Sequence, residues 1–116
     1  MIDSLEIGTD IVSISRFKSL PYEKNQSFYK KIFSTDEINY CLKFKNPYEH
    51  FAGKFAIKEA VVKSLSNNID YLEIQTFHKN SKPVVKLKND LKYNFLVSVS
   101  HDQDYAIALI ISEKII

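Results

Sequence analysis

A chain of 116 residues, 45% hydrophobic and 26% charged, has the composition of one folded domain rather than of a disordered segment. Its formal charge of +2 rests on fifteen lysines and a single arginine, Arg16, which disfavours a sequence-specific DNA reader, because such readers lean on bidentate arginine contacts to guanine. One cysteine, Cys41, excludes an internal disulfide, no apolar run nears the roughly 20 residues that cross a bilayer, and the first residues are acidic where a leader is basic, so a cytoplasmic protein without a membrane partner is expected.

Leu5 to Ile14 reads as a strand, with Leu5, Ile7, Thr9 and Ile11 alternating with Glu6, Gly8, Asp10 and Val12. Gly8, one of only two glycines, marks a bulge or the close approach of another backbone. Asp10 sits among apolar residues, where a charge is costly unless it is paired, bonded to backbone amides or bound to a metal. Arg16 to Lys31 predicts a helix interrupted near Pro21. Ser34 and Glu37 have the spacing of a capping box and open a helix that runs to about Phe44, ahead of Asn46-Pro47.

Tyr48 to Leu65 is the longest expected helix. Phe51, Phe55, Ile57, Val61, Val62 and Leu65 form a broad apolar arc, and Ala52, Ala56 and Ala60 form much of the other side. The ordinary charged face of a half-exposed helix is missing. Glu59 and Lys63 project from the alanine side one turn apart, either as a plain helix-surface ion pair or as an acid and a base beside a ligand. Lys54 and Lys58 fall within the apolar arc, where a lysine must snorkel outward or meet an anion.

After Ser66-Asn67-Asn68 the period changes. Tyr71 to Phe77 alternates as a strand, Asn80 to Pro83 is a turn, and Val84 to Leu87 returns as the hairpin partner. Asp90 to Phe95 reads as a short helix or a turn. Leu96 to Ser100 and Tyr105 to Ser112 are two further strands joined by His101-Asp102-Gln103-Asp104. The fold class is therefore α+β, a mainly antiparallel sheet with the helices concentrated in the first half of a single domain over 1–116. Taken alone, His101 reads as a turn residue bonding a carbonyl, and Asp102 and Asp104 as ordinary turn acids.

Three segments change that balance: Ile7-Gly8-Thr9-Asp10 through Arg16-Phe17, Phe51-Ala52-Gly53-Lys54-Phe55-Ala56-Ile57-Lys58-Glu59-Ala60 with Lys63, and Ser98-Val99-Ser100-His101 leading into Tyr105-Ala106. In order, spacing and length the sequence resembles the holo-acyl-carrier-protein synthases, the short, trimeric class of 4′-phosphopantetheinyl transferases. The resemblance implies transfer of the 4′-phosphopantetheine arm of coenzyme A to a serine of an apo-acyl carrier protein, with release of 3′,5′-ADP, in fatty acid biosynthesis. It implies Mg²⁺ held by Asp10 and Glu59, coenzyme A phosphates met by Lys63 with Lys54 and Lys58 adding positive potential, and His101 near the nucleotide. The base for the carrier serine is left among Glu59, Asp102 and a metal-bound water. Arg16, with nearby lysines, is expected to dock an acidic carrier helix, and a homotrimer with sites between subunits is implied.

The sequence departs from the family in Ser66-Asn67-Asn68-Ile69, where two glycines are usual, in Ser81, and in a short stretch from Leu87 to Phe95. A catalytically silent coenzyme A or carrier-protein binding module of the same fold is the alternative, and it would be signalled by loss of Asp10, Glu59 or Lys63, all of which are present. A carrier protein, prompted by Asp3-Ser4-Leu5, fails because here the serine leads into a strand of a basic chain.

Overall fold

The computed structural model describes residues 2–65, 67–88 and 92–115. Ser66, in the loop that departs from the family, and 89–91, within the stretch expected as helix or turn, lie outside the described residues. Strand β1 (Leu5–Ser13) leads into α1 (Ile14–Lys18), a 3₁₀ turn (Tyr22–Lys24) and α2 (Gln26–Ile32), so the helix expected over Arg16 to Lys31 is split around Pro21. Helices α3 (Thr35–Leu42) and α4 (Pro47–Leu65) follow, then a 3₁₀ turn (Tyr71–Glu73), β2 (Ile74–Lys79), β3 (Lys82–Leu87), β4 (Tyr93–His101) and β5 (Tyr105–Lys114). Every strand pair is antiparallel: one sheet has the order β1-β5-β4, and β2-β3 forms a separate hairpin. Asn80 and Ser81 both take positive φ at the tip of that hairpin, and Lys82 and Pro83 already belong to β3.

Local chemistry accounts for the main boundaries. Ser34 Oγ accepts from the Glu37 amide and the Glu37 carboxylate accepts from the Ser34 amide, closing the capping box that starts α3. Helix α4 is buried nearly all round, because it lies against the sheet on one side and against α1, α3 and the hairpin on the others. Phe17, Tyr29, Phe33 and Phe51 meet beside it as fully buried rings, Tyr29 and Phe51 with centroids 4.7 Å apart.

The two glycines differ. A Cβ on Gly8 would fall 2.0 Å from the Ala60 carbonyl oxygen, so β1 and α4 touch backbone to backbone there. On Gly53 it would sit 3.6 Å from Val99 Cγ2, an ordinary contact. The even-numbered residues of β1, with Gly8 and Val12 buried, face α4, whereas Ile7 and Ile11 are 65% and 60% exposed on the outer side of the sheet.

Candidate functional site

Asp10 faces α4 from the middle of β1, and its side chain is only 15% exposed. Lys63, from the last turn of α4, donates to Asp10 Oδ1 at 2.9 Å and to the Thr9 carbonyl at 3.0 Å. One turn back, Glu59 accepts a short hydrogen bond on Oε1 from the Tyr71 hydroxyl. Burial first, then the bond and charge of Glu59, push the Tyr71 phenol up to about 12, with Asp10 adding to the rise and Arg16 opposing it. Asp10, Glu59 and Arg16 therefore all lie within electrostatic reach of one phenol. Arg16 is exposed on α1, with its guanidinium carbon 5.1 Å from the centre of the Phe55 ring. The structure thus gathers Asp10, Glu59, Lys63 and Arg16 around the C-terminal half of α4.

Lys54 and Lys58 are not part of that group. Lys58 is fully buried and donates to Glu37 Oε1 at 2.7 Å, to the Ile32 carbonyl at 2.8 Å and to the Tyr71 carbonyl at 2.9 Å. Lys54 donates to Thr76 Oγ1 at 2.9 Å and to its carbonyl, with the ammonium 4.7 Å from the Tyr40 ring centre. The other oxygen of Glu37 accepts from the Thr76 amide and hydroxyl. Burial pushes the Glu37 carboxyl up, but the Lys58 charge and hydrogen bond, with Thr76 and the Ser34 amide, outweigh it and hold it below the usual carboxylate range. The anion these lysines were expected to meet is supplied for Lys58 by α3, so neither ammonium reaches a phosphate without breaking its interior bonds. Sequence pattern does not show this partner, because the Ser34–Glu37 capping box already accounts for Glu37.

His101 and Asp102 lie elsewhere. In the sheet register Asp10 shares a row with Ala108 and Val99, and His101 pairs with Ala106 two rows further along, on β4. Two strand spacings separate β1 from β4, so Asp10 and His101 are roughly 10 Å or more apart across the sheet. Helix α4 runs between them, its Gly53 against Val99 and its Ala60 against Gly8. The His101 ring stands 5.9 Å from that of His50, and its Nδ1 is 3.9 Å from Glu49 Oε2.

Together with His78 these two histidines line a cavity of about 170 Å³. Burial holds the His50 imidazole below its usual value, against the pull of Glu49 and aided by His101, His78 and Lys54. His50 and His78 carried no signal in the sequence, since nothing in their spacing links them to His101. Asp102 is exposed, and its Oδ1 accepts from the Asp104 amide at 2.7 Å and the Tyr105 amide at 2.9 Å. Those backbone bonds hold its carboxyl below the usual range, which suits a turn and makes a weak base.

Among the described residues no cluster of three or more metal-type ligands exists. The donors near Asp10 and Glu59 are carboxylate oxygens without thiolate or imidazole, and each carboxylate uses one oxygen for Lys63 or Tyr71. Two hard oxygens from facing elements fit Mg²⁺, which completes its octahedron with phosphates and water and avoids all-protein cages.

Residues 6–110 match the model of the 4′-phosphopantetheinyl transferase superfamily. The holo-[acyl-carrier-protein] synthase of Thermodesulfovibrio yellowstonii is 36% identical over 110 residues, covering 90% of this chain and 95% of that protein. That of Protochlamydia amoebophila is 38% identical over 115 residues, covering 90% and 94%. The crystal structure of the Helicobacter pylori holo-[acyl-carrier-protein] synthase in complex with coenzyme A superposes with a TM-score of 0.81 at 31% identity, over 92% of this chain and 99% of that one.

Proposed function

Since the chain belongs to the 4′-phosphopantetheinyl transferase superfamily, we propose that it performs the transfer with Asp10 and Glu59 as the protein ligands of a magnesium ion. The enzyme is a coenzyme A-dependent phosphopantetheinyl transferase acting on apo-acyl carrier protein, with the role in fatty acid biosynthesis that its relatives share. The observation that supports the site is the pairing of Asp10 with Lys63 one helical turn from Glu59, two acids and a lysine held by β1 and α4. A bound magnesium ion would neutralise charge on the pyrophosphate and on the departing 3′,5′-ADP.

The chain's own residues do the rest. Lys63, half exposed and already bonded to Asp10, is the ammonium free to turn to a phosphate oxygen when the carboxylate is engaged elsewhere. Glu59 and ordered water suit the proton of the carrier serine better than Asp102, because the backbone bonds to Asp102 Oδ1 make it the weaker base. Lys54 and Lys58 act from inside, fixing α4 against α3 and the hairpin. Arg16 presents its guanidinium beside this group for an acidic carrier helix.

His101 completes the nucleotide end of a site on a neighbouring copy. Its place across the sheet from Asp10 supports this reading, in which the chain works as a homotrimer with sites between subunits. Among the described residues no helix is long and apolar enough to cross a membrane.

The test is to weigh an apo-carrier protein after incubation with coenzyme A and Mg²⁺. The wild type should add one phosphopantetheine, and Asp10→Ala and Glu59→Ala should remain folded yet lose most of the transfer. Near-normal turnover in either variant would overturn the metal assignment.

A further inference from the structure

Glu59 is a long, half-buried side chain whose helical neighbour Lys63 is bonded to Asp10 and the Thr9 carbonyl, yet its carboxylate is held by Tyr71. We propose that Tyr71 is the positioning residue for this carboxylate, its hydroxyl occupying Oε1 so that Oε2 is presented to the metal. The inference rests on Glu59 being a metal ligand. Tyr71 is held from both ends by adjacent residues of α4. Glu59 accepts from its hydroxyl, and Lys58 donates to its carbonyl at 2.9 Å.

Lys58 is itself immobile, buried against Glu37 and the Ile32 carbonyl, so the anchor of Tyr71 is part of the protein interior. The ring packs against Phe55 at 5.4 Å, and Arg16 lies 5.1 Å from the same Phe55 ring. The backbone of the 3₁₀ turn is tied down as well. The Glu73 amide donates to the Asp70 carbonyl at 3.0 Å, and the Lys88 amide to the Glu73 carbonyl at 2.7 Å. A hydroxyl so anchored selects one rotamer of Glu59, and a ligating carboxylate bonded on its other oxygen is the usual second layer of a metal site. Tyr71 touches neither metal nor substrate in this arrangement.

The experiment titrates Mn²⁺, as the probe ion, into wild type, Tyr71→Phe, Glu59→Gln and the double variant, each with coenzyme A present, and reads binding by water-proton relaxation. Tyr71→Phe keeps the ring against Phe55 and the backbone bond from Lys58, so its melting temperature should stay near that of wild type. Its Mn²⁺ midpoint should rise about tenfold or more, within the range for lost outer partners of metal ligands. Glu59→Gln should bind far more weakly still, and adding Tyr71→Phe to it should change nothing further. In transfer assays the Mg²⁺ concentration for half-maximal rate should rise by a similar factor in Tyr71→Phe, most of the loss being recovered at saturating Mg²⁺. A purely structural tyrosine would lower the melting temperature and leave the metal midpoint alone. An unchanged midpoint in Tyr71→Phe beside a lost one in Glu59→Gln sinks the positioning role and leaves the metal site standing. Unchanged binding in Glu59→Gln sinks both.

Discussion

At Gly8 the missing side chain decides how closely β1 can lie on α4, and through that spacing where Asp10 meets Lys63. The Ala60 carbonyl stands 2.0 Å from where a Cβ would be, and a backbone carbonyl cannot swing aside. Gly8→Ala must push the helix and the strand apart, at a cost of about 1–3 kcal/mol or more for an overpacked contact. Chemical denaturation should show that loss, and the surviving folded protein should bind coenzyme A less well because Asp10 and Lys63 move with their elements. Gly53→Ala, with an ordinary contact, is the control that should fold normally.

Arg16 carries a second prediction at this scale. Arg16→Lys keeps the charge but loses the planar fork that stacks on Phe55 and binds a carboxylate bidentately. It should raise the carrier concentration needed for half-maximal transfer at low salt while leaving coenzyme A affinity alone, and the gap from wild type should narrow as salt rises. Coincident curves at low salt would return Arg16 to a packing role. Gly8 and Asp10 stand out because each breaks the local pattern of its strand, whereas Glu59, Lys63 and Arg16 gain their roles only from the family resemblance. Tyr71 does not stand out, because its importance lies in two partners on α4 and none in its own segment.

Among the elements, α4 shows most clearly what sequence pattern can and cannot give. Its length and its unusual lack of a polar face follow from the residues, and the place of Lys54 and Lys58 in the apolar arc leaves them to snorkel outward or meet an anion. Which anion Lys58 meets does not follow, since Glu37 lies 21 positions away and the α3 cap already explained it. The segment from Tyr71 similarly reads as strand by alternation, yet Tyr71–Glu73 is a 3₁₀ turn, the Tyr71 carbonyl being taken by Lys58.

The Glu37–Lys58 pair ties α2, α3, α4 and β2 together, and its pH dependence has a definite sign. The folded carboxyl lies below the ordinary value of about 4.3, so its contribution is complete above that value and is lost as pH falls through the depressed one. Glu37→Gln leaves the Lys58 ammonium buried without its counter-charge and should cost roughly 3–5 kcal/mol near neutral pH. Denaturation from pH 7 down to pH 2 should therefore show a wild-type advantage that holds to about pH 4.3 and shrinks below it. A gap that stayed constant down to pH 2 would mean the pair is not what holds these elements.

For the whole molecule the telling surface is the outer side of the β1-β5-β4 sheet. Alternation in β1 marks Ile7 and Ile11 as apolar, and a lone sheet would turn them to the core. Instead they point away from α4, and across the register Ile7 is followed by Ile111 and Leu96, and Ile11 by Ile107. Leu96 is 70% exposed, and Leu109 is exposed between those rows. A contiguous apolar sheet face of this kind is covered in a working protein, and the separation of His101 from Asp10 within one chain fits the proposal that another copy supplies the other end of the site.

The prediction is that Ile7→Lys with Ile11→Lys leaves the fold of each chain intact, because neither side chain touches the core, yet abolishes assembly. Light scattering should give wild type a mass three times the 13.5 kDa of one chain and the variant the mass of one. Transfer should fall with assembly. Mixing is the sharper arm: Asp10→Ala chains and His101→Ala chains, each inactive alone, should regain part of the activity when reassembled together, since some sites then draw Asp10 and His101 from two unmodified sources. A monomeric wild type, or a mixture as inactive as its components, would mean that His101 serves no neighbouring site and that the apolar face is covered by something other than this chain.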